Sequence, residues 1–128
     1  MNAADSKQLV LDFLASWQGR DIDYIMSFFS EDSVYHNVPV EPLKGVAPIR
    51  AIFEAFLREF RTASLDVVAA VAEPRLVIAE RIDRFETNSG KNVVLPVTGV
   101  FVVDARKIIR FSDYFDLDSF QRQSGLTL

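Results

Sequence analysis

Arg75-Leu76-Val77-Ile78-Ala79-Glu80-Arg81-Ile82-Asp83-Arg84-Phe85-Glu86 is the stretch on which the fold turns. It is rich in β-branched and aromatic residues, and turn chemistry bounds it on both sides, Glu73-Pro74 before and Asn88-Ser89-Gly90 after, so it predicts a strand. Side chains alternate across a strand, which puts Val77, Ala79, Arg81, Asp83 and Phe85 on one face. Leu76, Ile78, Glu80, Ile82 and Arg84 take the other. Working outward, Ser64 to Ala72, Asn92 to Val103 and Ile108 to Phe115 read in the same way, the last two separated by Asp104-Ala105-Arg106-Lys107. Pro96 within the third of these four strands predicts a bulge, or a position whose N–H is not needed.

Upstream of Ala63 the period changes to that of helices. Asp5 or Ser6 is placed to cap a first helix carrying Leu9, Val10, Phe13, Leu14 and Trp17 on one face, with Gly19 ending it. Asp21 is placed to cap a second, with Ile22, Ile25, Met26 and Phe29 inward. An extended piece, Ser33 to Pro39, follows. Pro48 suits a first helical turn, and Ile49, Ile52, Phe53, Phe56 and Phe60 give a third amphipathic helix. Helices first and a meander second predict one α+β domain over residues 1–128: three N-terminal helices packed on a curved, mainly antiparallel sheet, a cone whose hollow is an apolar pocket.

Composition narrows the function. The chain is 49% hydrophobic with 11 Phe among its 128 residues, enough aromatic bulk for a core and a pocket lining. A net charge of -4 argues against a nucleic-acid partner. There is no cysteine, and His36 is the one histidine, so no metal site and no His-based triad is expected. The serines lack a Gly-x-Ser-x-Gly elbow, and Gly-rich phosphate loops are absent. The polar N-terminus has no apolar signal core and no run approaches a membrane span, so the expected location is cytoplasmic, with no membrane partner.

The informative feature is charge on apolar faces. Arg81 and Asp83 lie side by side between Val77, Ala79 and Phe85, and Asp113 shares a face with Ile109, Phe111 and Phe115. Buried charges are costly unless paired, and the planar fork of an arginine can bond two carboxylates at once. A surface ion pair and a turn aspartate remain the ordinary alternative, and a one-residue slip in register would exchange the faces. Tyr35 and Asn37 share parity and can both point into the hollow, with His36 pointing away, although an edge strand with ordinary hydrogen bonds is the commoner explanation of such a pair.

Glu80-Arg81-Ile82-Asp83, Gly99-Val100-Phe101, Asp113-Tyr114-Phe115-Asp116-Leu117 and Val34-Tyr35-His36-Asn37-Val38-Pro39 resemble the limonene-1,2-epoxide hydrolase family in identity, order and spacing. The likeness runs from about the first helix to Leu126. It implies a cofactor-free homodimer that adds water to a small or medium apolar epoxide, giving a vicinal diol in one step without a covalent intermediate. Asp83 would be the general acid, Asp113 the base that deprotonates the attacking water, and Arg81 the bridge between them. Tyr35 and Asn37 would hold the water with Asp113. Phe85, Leu95, Val97 and Phe115 would line the substrate pocket; Phe85 is bulkier than an aliphatic residue there, and Pro96 and Thr98 also depart from the family pattern. The chemistry suits the residues, since an epoxide opens readily when its oxygen is protonated as carbon is attacked. Competing readings are a ketosteroid-isomerase-like or polyketide-cyclase-like enzyme of the same fold, or a non-catalytic small-ligand-binding module.

Overall fold

A computed structural model describes residues 1–128. The order of elements is α1 (Ala3–Ser16), a 3₁₀ turn (Trp17–Gly19), α2 (Ile22–Met26), β1 (Phe29–Asn37), β2 (Leu43–Lys44), α3 (Val46–Glu59), β3 (Phe60–Glu73), β4 (Leu76–Thr87), β5 (Asn92–Asp104), β6 (Lys107–Tyr114) and α4 (Leu117–Ser124). The six strands form one curved, unclosed sheet in the order β2-β1-β6-β5-β4-β3, antiparallel throughout except where β1 runs parallel to β6. The helices pack against it, α1 over β3 and β4, and α4 against β5. No helix is long and apolar enough to cross a membrane.

The predicted α+β cone is the observed architecture, with local corrections. Helix α1 is capped by Asn2, not by Asp5 or Ser6: Asn2 Oδ1 accepts from the Asp5 N–H at 2.8 Å while Asp5 Oδ2 accepts from the Asn2 N–H at 3.2 Å, a reciprocal capping box. Asp21 caps α2 as expected, accepting from the N–H groups of Asp23 and Tyr24. Phe29 and Phe60, which fit the helical period of the sequence, open strands β1 and β3 instead. The polar run Ser30-Glu31-Asp32 hides the start of β1, and α3 passes into β3 at Phe60 (φ −113°, ψ 124°) with no turn residue between them. Helix α4 follows the three expected helices, capped by Asp116, whose carboxylate accepts from Asp118 and Ser119, and ended by Gly125 at φ 74°.

Pro96 carries no bulge. The neighbouring Val94, of the same parity, turns its N–H and C=O away from β4 to the side chain of Gln123 on α4. Pro96 therefore faces that same edge, beyond the first β6 pairing at Thr98–Tyr114, where no ladder donor is needed. The bulge in this part of the sheet falls on β6 instead. Val102 pairs with Arg110 and Val103 with Ile108, so Ile109 is looped out and Ile108, fully buried, takes the inward place expected of Ile109.

Phe13 of α1 anchors the core, with ring centroids of Phe29 at 5.2 Å, Phe111 at 5.4 Å, Phe28 at 5.7 Å and Phe101 at 6.2 Å, all edge-on. Such contacts add to the area each ring removes from water and hold the helices to the sheet at defined points. The alternation of buried and exposed residues along β4 and β5 follows from that one-sided cover.

Candidate active site

The site is built on the inward face of four adjacent strands, with Phe60, Ala63 and Leu65 of β3 closing the cavity beside them. β4 contributes Val77, Ala79, Arg81, Asp83 and Phe85; β5 contributes Leu95, Val97, Gly99 and Phe101; β6 contributes Phe111 and Asp113; β1 contributes Tyr35 and Asn37. Arg81 pairs with Val97 and Asp83 with Leu95, while Gly99 sits between Ala79 on β4 and Asp113 on β6. Asn37 lies beside Asp113 across the parallel pair.

Arg81 and Asp113 are therefore two strands apart, and the guanidinium must cross β5 to reach the second carboxylate. It does so over Gly99. A Cβ added there would lie 2.6 Å from Arg81 Nη1 and 2.9 Å from Asp113 Oδ1, so only glycine leaves the passage open. Arg81 Nε donates to Asp83 Oδ1 at 2.7 Å and Nη2 to Asp83 Oδ2 at 3.1 Å; Nη1 donates to Asp113 Oδ1 at 2.9 Å and Nη2 to Asp113 Oδ2 at 2.6 Å. All four carboxylate oxygens are engaged by one fork. The cluster is out of solvent, with Arg81 1% exposed, Asp83 5% and Asp113 6%. The Arg81 guanidinium also lies 5.8 Å from the centroid of the Phe111 ring, which stacks on Phe101.

Electrostatics follow from that burial. Loss of water pushes the Asp83 carboxyl up to about 6 although Arg81 pulls it down, with the negative charge of Asp113 adding to the rise. Asp113 is raised for the same leading reason, against the same pull. Burial alone would lower Arg81, but the two carboxylates hold it charged. Tyr35 is raised well above a free phenol by burial and then by Asp113, so it stays protonated, and its hydroxyl donates to Asn37 Oδ1 at 2.6 Å. That bond turns the Asn37 carbonyl toward the phenol and leaves its amide N–H groups as donors to a ligand. Two carboxyls near one cation, with raised proton affinities, titrate as a pair and can share a proton near neutral pH.

The cavity, about 70 Å³, is lined mostly by apolar side chains, and every residue singled out in the sequence as catalytic or substrate-binding lines it. Arg81, Asp83, Asp113, Tyr35 and Asn37 gather at its polar end. Phe85, Leu95, Val97 and Phe115 form walls with Trp17, Phe53 and Phe120; Phe85 stacks on Phe60 at 4.8 Å and Phe115 meets Phe120 edge-on at 6.2 Å. His36 is not among them, bonding through Nε2 to the Val40 carbonyl at 2.8 Å. Sequence reasoning missed three positions. Gly99 stands in a quoted motif, but its role needs the strand order. Trp17 was read only as a helix-face residue. Arg20 lies in a connection with no pattern to mark it.

A model of the SnoaL-like domain matches residues 10–111. Among solved structures, the chain is similar to an LEH-like epoxide hydrolase of M. tuberculosis, at 24% identity over 94% of this chain and 92% of that one, TM-score 0.83. It is similar to a candidate polyketide cyclase of Xanthomonas campestris pv. campestris, at 22% identity over 97% and 99%, TM-score 0.87. A protein of ketosteroid isomerase-like fold from Catenulispora acidiphila, in complex with trimethylamine, aligns at 19% identity over 92% of each chain, TM-score 0.81. At these identities the likeness is one of fold.

Two outcomes test the cluster. Gly99→Ala should displace the guanidinium from Asp113 and lower stability by about 3–5 kcal/mol, the cost of unpairing a buried ion pair; denaturant unfolding checks it, and a loss below about 1 kcal/mol would mean that the crossing is not constrained. The raised Asp83 makes its ionisation unfavourable to the folded state, so its contribution should fall as pH rises from about 4 to about 6. Unfolding of wild type and Asp83→Asn at both ends of that range should therefore move about 2–3 kcal/mol in favour of the variant as pH rises. A difference that is flat or of opposite sign would refute the assignment.

Proposed function

The chain belongs to the SnoaL-like domain family, and within it we propose that the protein is an epoxide hydrolase, adding water to a small or medium apolar epoxide to give a vicinal diol. One observation carries the reading: a single arginine bonded to two buried carboxylates at the polar end of an otherwise apolar cavity. Epoxide hydration needs a proton donor and a proton acceptor at the same pH on opposite sides of one small ring, and a pair of acids sharing a proton supplies both.

The division of roles follows from surroundings. Asp83 has Arg81 as its only hydrogen-bonding partner and a carboxyl held up to about 6, so it is the proton carrier. Its Oδ2, at the longest of the four contacts, is the oxygen to carry that proton. Asp113 lies beside Asn37 and is the carboxylate that acts most strongly on Tyr35, so it is the base for a water held there. In the reaction, the water oxygen attacks an epoxide carbon as its proton passes to Asp113, while the C–O bond breaks and the epoxide oxygen takes the proton of Asp83. One proton returned from Asp113 to Asp83 resets the pair. No protein oxygen enters the product.

A second reading, proton transfer next to a carbonyl as in ketosteroid-isomerase-like or polyketide-cyclase-like enzymes, fits the same fold. The Asn37 amide N–H groups, left free by the Tyr35 bond to its carbonyl, favour it as oxyanion donors. That chemistry needs one carboxylate rather than two joined by an arginine, which is why the hydrolase is preferred.

EDTA-treated protein should convert epoxides to diols. Asp83→Asn and Asp113→Asn should each lower turnover by about 10²–10⁴-fold with retained fold, and Tyr35→Phe much less. Single turnover in ¹⁸O-labelled water should place the label in the diol and in neither aspartate. Absence of diol formation, with deuterium exchange next to a ketone carbonyl instead, would select the second reading.

We also propose a homodimer through the outer sheet face, where Val71, Leu76, Val94 and Tyr114 are exposed around the half-buried Ile78, Ile82 and Val100. Light scattering should give twice the chain's 14.5 kDa, and Val71→Asp should shift the protein toward that single-chain mass. A monomeric wild type at micromolar concentration would refute this interface.

A further inference from the structure

Outside the acid–arginine–acid cluster and its Asn37, the cavity lining contains one further charged side chain, Arg20. Its backbone is in the left-handed region, φ 58° and ψ 23°, directly after Gly19, a residue better suited to that conformation. Strain of this kind persists where the rest of the structure holds it in place. The guanidinium is pinned at the end of α3, with Nη1 donating to the Phe60 carbonyl at 2.7 Å and Nη2 to the Leu57 carbonyl. Those bonds cap the helix but neutralise nothing. Arg61 and Arg84, which border a neighbouring surface hollow together with Arg20, are each paired at 2.6 Å, with Glu86 and Asp66, whereas no carboxylate comes within 4.0 Å of Arg20. Three residues back, Trp17 lines the same cavity, is 7% exposed, and its Nε1–H has no acceptor. Buried donors are normally satisfied, so an unpartnered one beside a cavity is a place for a ligand oxygen.

We propose that Arg20 and Trp17 form a second subsite that binds a carboxylate at the far end of the ligand, so that the substrate is an epoxide joined through an apolar chain to a carboxylic acid. This rests on the epoxide reading for the reacting end only. One unmatched positive charge and one indole donor suit the single charge and two oxygens of a carboxylate; a dianionic phosphate would exceed what one arginine balances. The opposite end of the cavity cannot take that group, because Arg81 is already saturated by two acids. The spacing is that of a chain rather than a compact molecule. Arg20 is bonded to Phe60, whose ring stacks on Phe85, and Phe85 lies two residues along the same strand face from Asp83, about 7 Å.

Trp17 is the only tryptophan, so its fluorescence reports ligands in the cavity without any turnover. Titration with octanoate, octanamide and 1-octanol, with calorimetry alongside, should give octanoate an affinity at least about tenfold above the two neutral ligands. Added salt should weaken octanoate and leave 1-octanol unchanged. Arg20→Gln, which keeps donors for the α3 carbonyls, should abolish the preference while leaving 1-octanol binding and the melting temperature close to wild type. Equal binding of the three ligands by wild type would overturn the proposal, as would a preference that survives in Arg20→Gln. If that variant fails to fold, the wild-type ligand series and its salt dependence decide alone. Octanoate preference without diol formation would leave the subsite standing and the epoxide reading refuted; diol formation from neutral epoxides with no octanoate preference would do the reverse.

Discussion

A guanidinium between two carboxylates, almost entirely out of water, is stable only when every oxygen is matched by a donor and the geometry is held by its surroundings. Arg81 meets the first condition with its four hydrogen bonds to Asp83 and Asp113. The second is met by the sheet. β4 supplies two members from one face, β6 supplies the third, and β5 lies between with a glycine at the one place where the side chain has to pass. Aromatic rings then close the space beneath, Phe111 under the guanidinium and Phe13 beneath Phe111 and Phe101. Helix α1, which carries Phe13, thus helps to exclude the water that would otherwise compete for the ion pairs.

The same arrangement makes the site chemically asymmetric. Both acids feel burial and the same arginine, but only Asp113 has Asn37 beside it across the parallel pair, and it acts on Tyr35 more strongly than Asp83 does. In the proposed reaction Asp83 holds the proton and Asp113, beside Asn37, receives the water. The fold alone does not dictate that outcome, since structures of similar shape include an LEH-like epoxide hydrolase and a candidate polyketide cyclase. The placement of particular charges on an ordinary cone separates one chemistry from another.

Much of this was legible in residue order. Alternation along 75–86 put Arg81 and Asp83 on one apolar face, and the sheet pairs that face inward in the expected register. The three N-terminal helices were legible from apolar spacing and α2 also from its Asp21 cap, apart from the shift of the α1 cap to Asn2 and displacements where the deciding contact is distant. Phe29 and Phe60 fit a helical period as well as a strand, and their place was settled by the core they fill and by the ladder that starts beside them. The cap and terminator of α4, Asp116 and Gly125, were present in the sequence but stood inside a segment read for its motif.

What the sequence by itself determined is therefore what depends on near neighbours: the two periods, the turn chemistry between strands, the absence of cysteine and the single histidine, and the choice of which side chains share a face. Tertiary structure alone decided what depends on distant pairing. The strand order set Gly99 beneath the Arg81 bridge, a bulge at Ile109 turned Ile108 inward, and the return of α3 beside the 3₁₀ turn placed Arg20 on the cavity wall. The physical reason is one of range. Backbone alternation is fixed within a few residues by covalent geometry, whereas strand order, bulges and the paths of long side chains answer to packing between segments far apart in the chain.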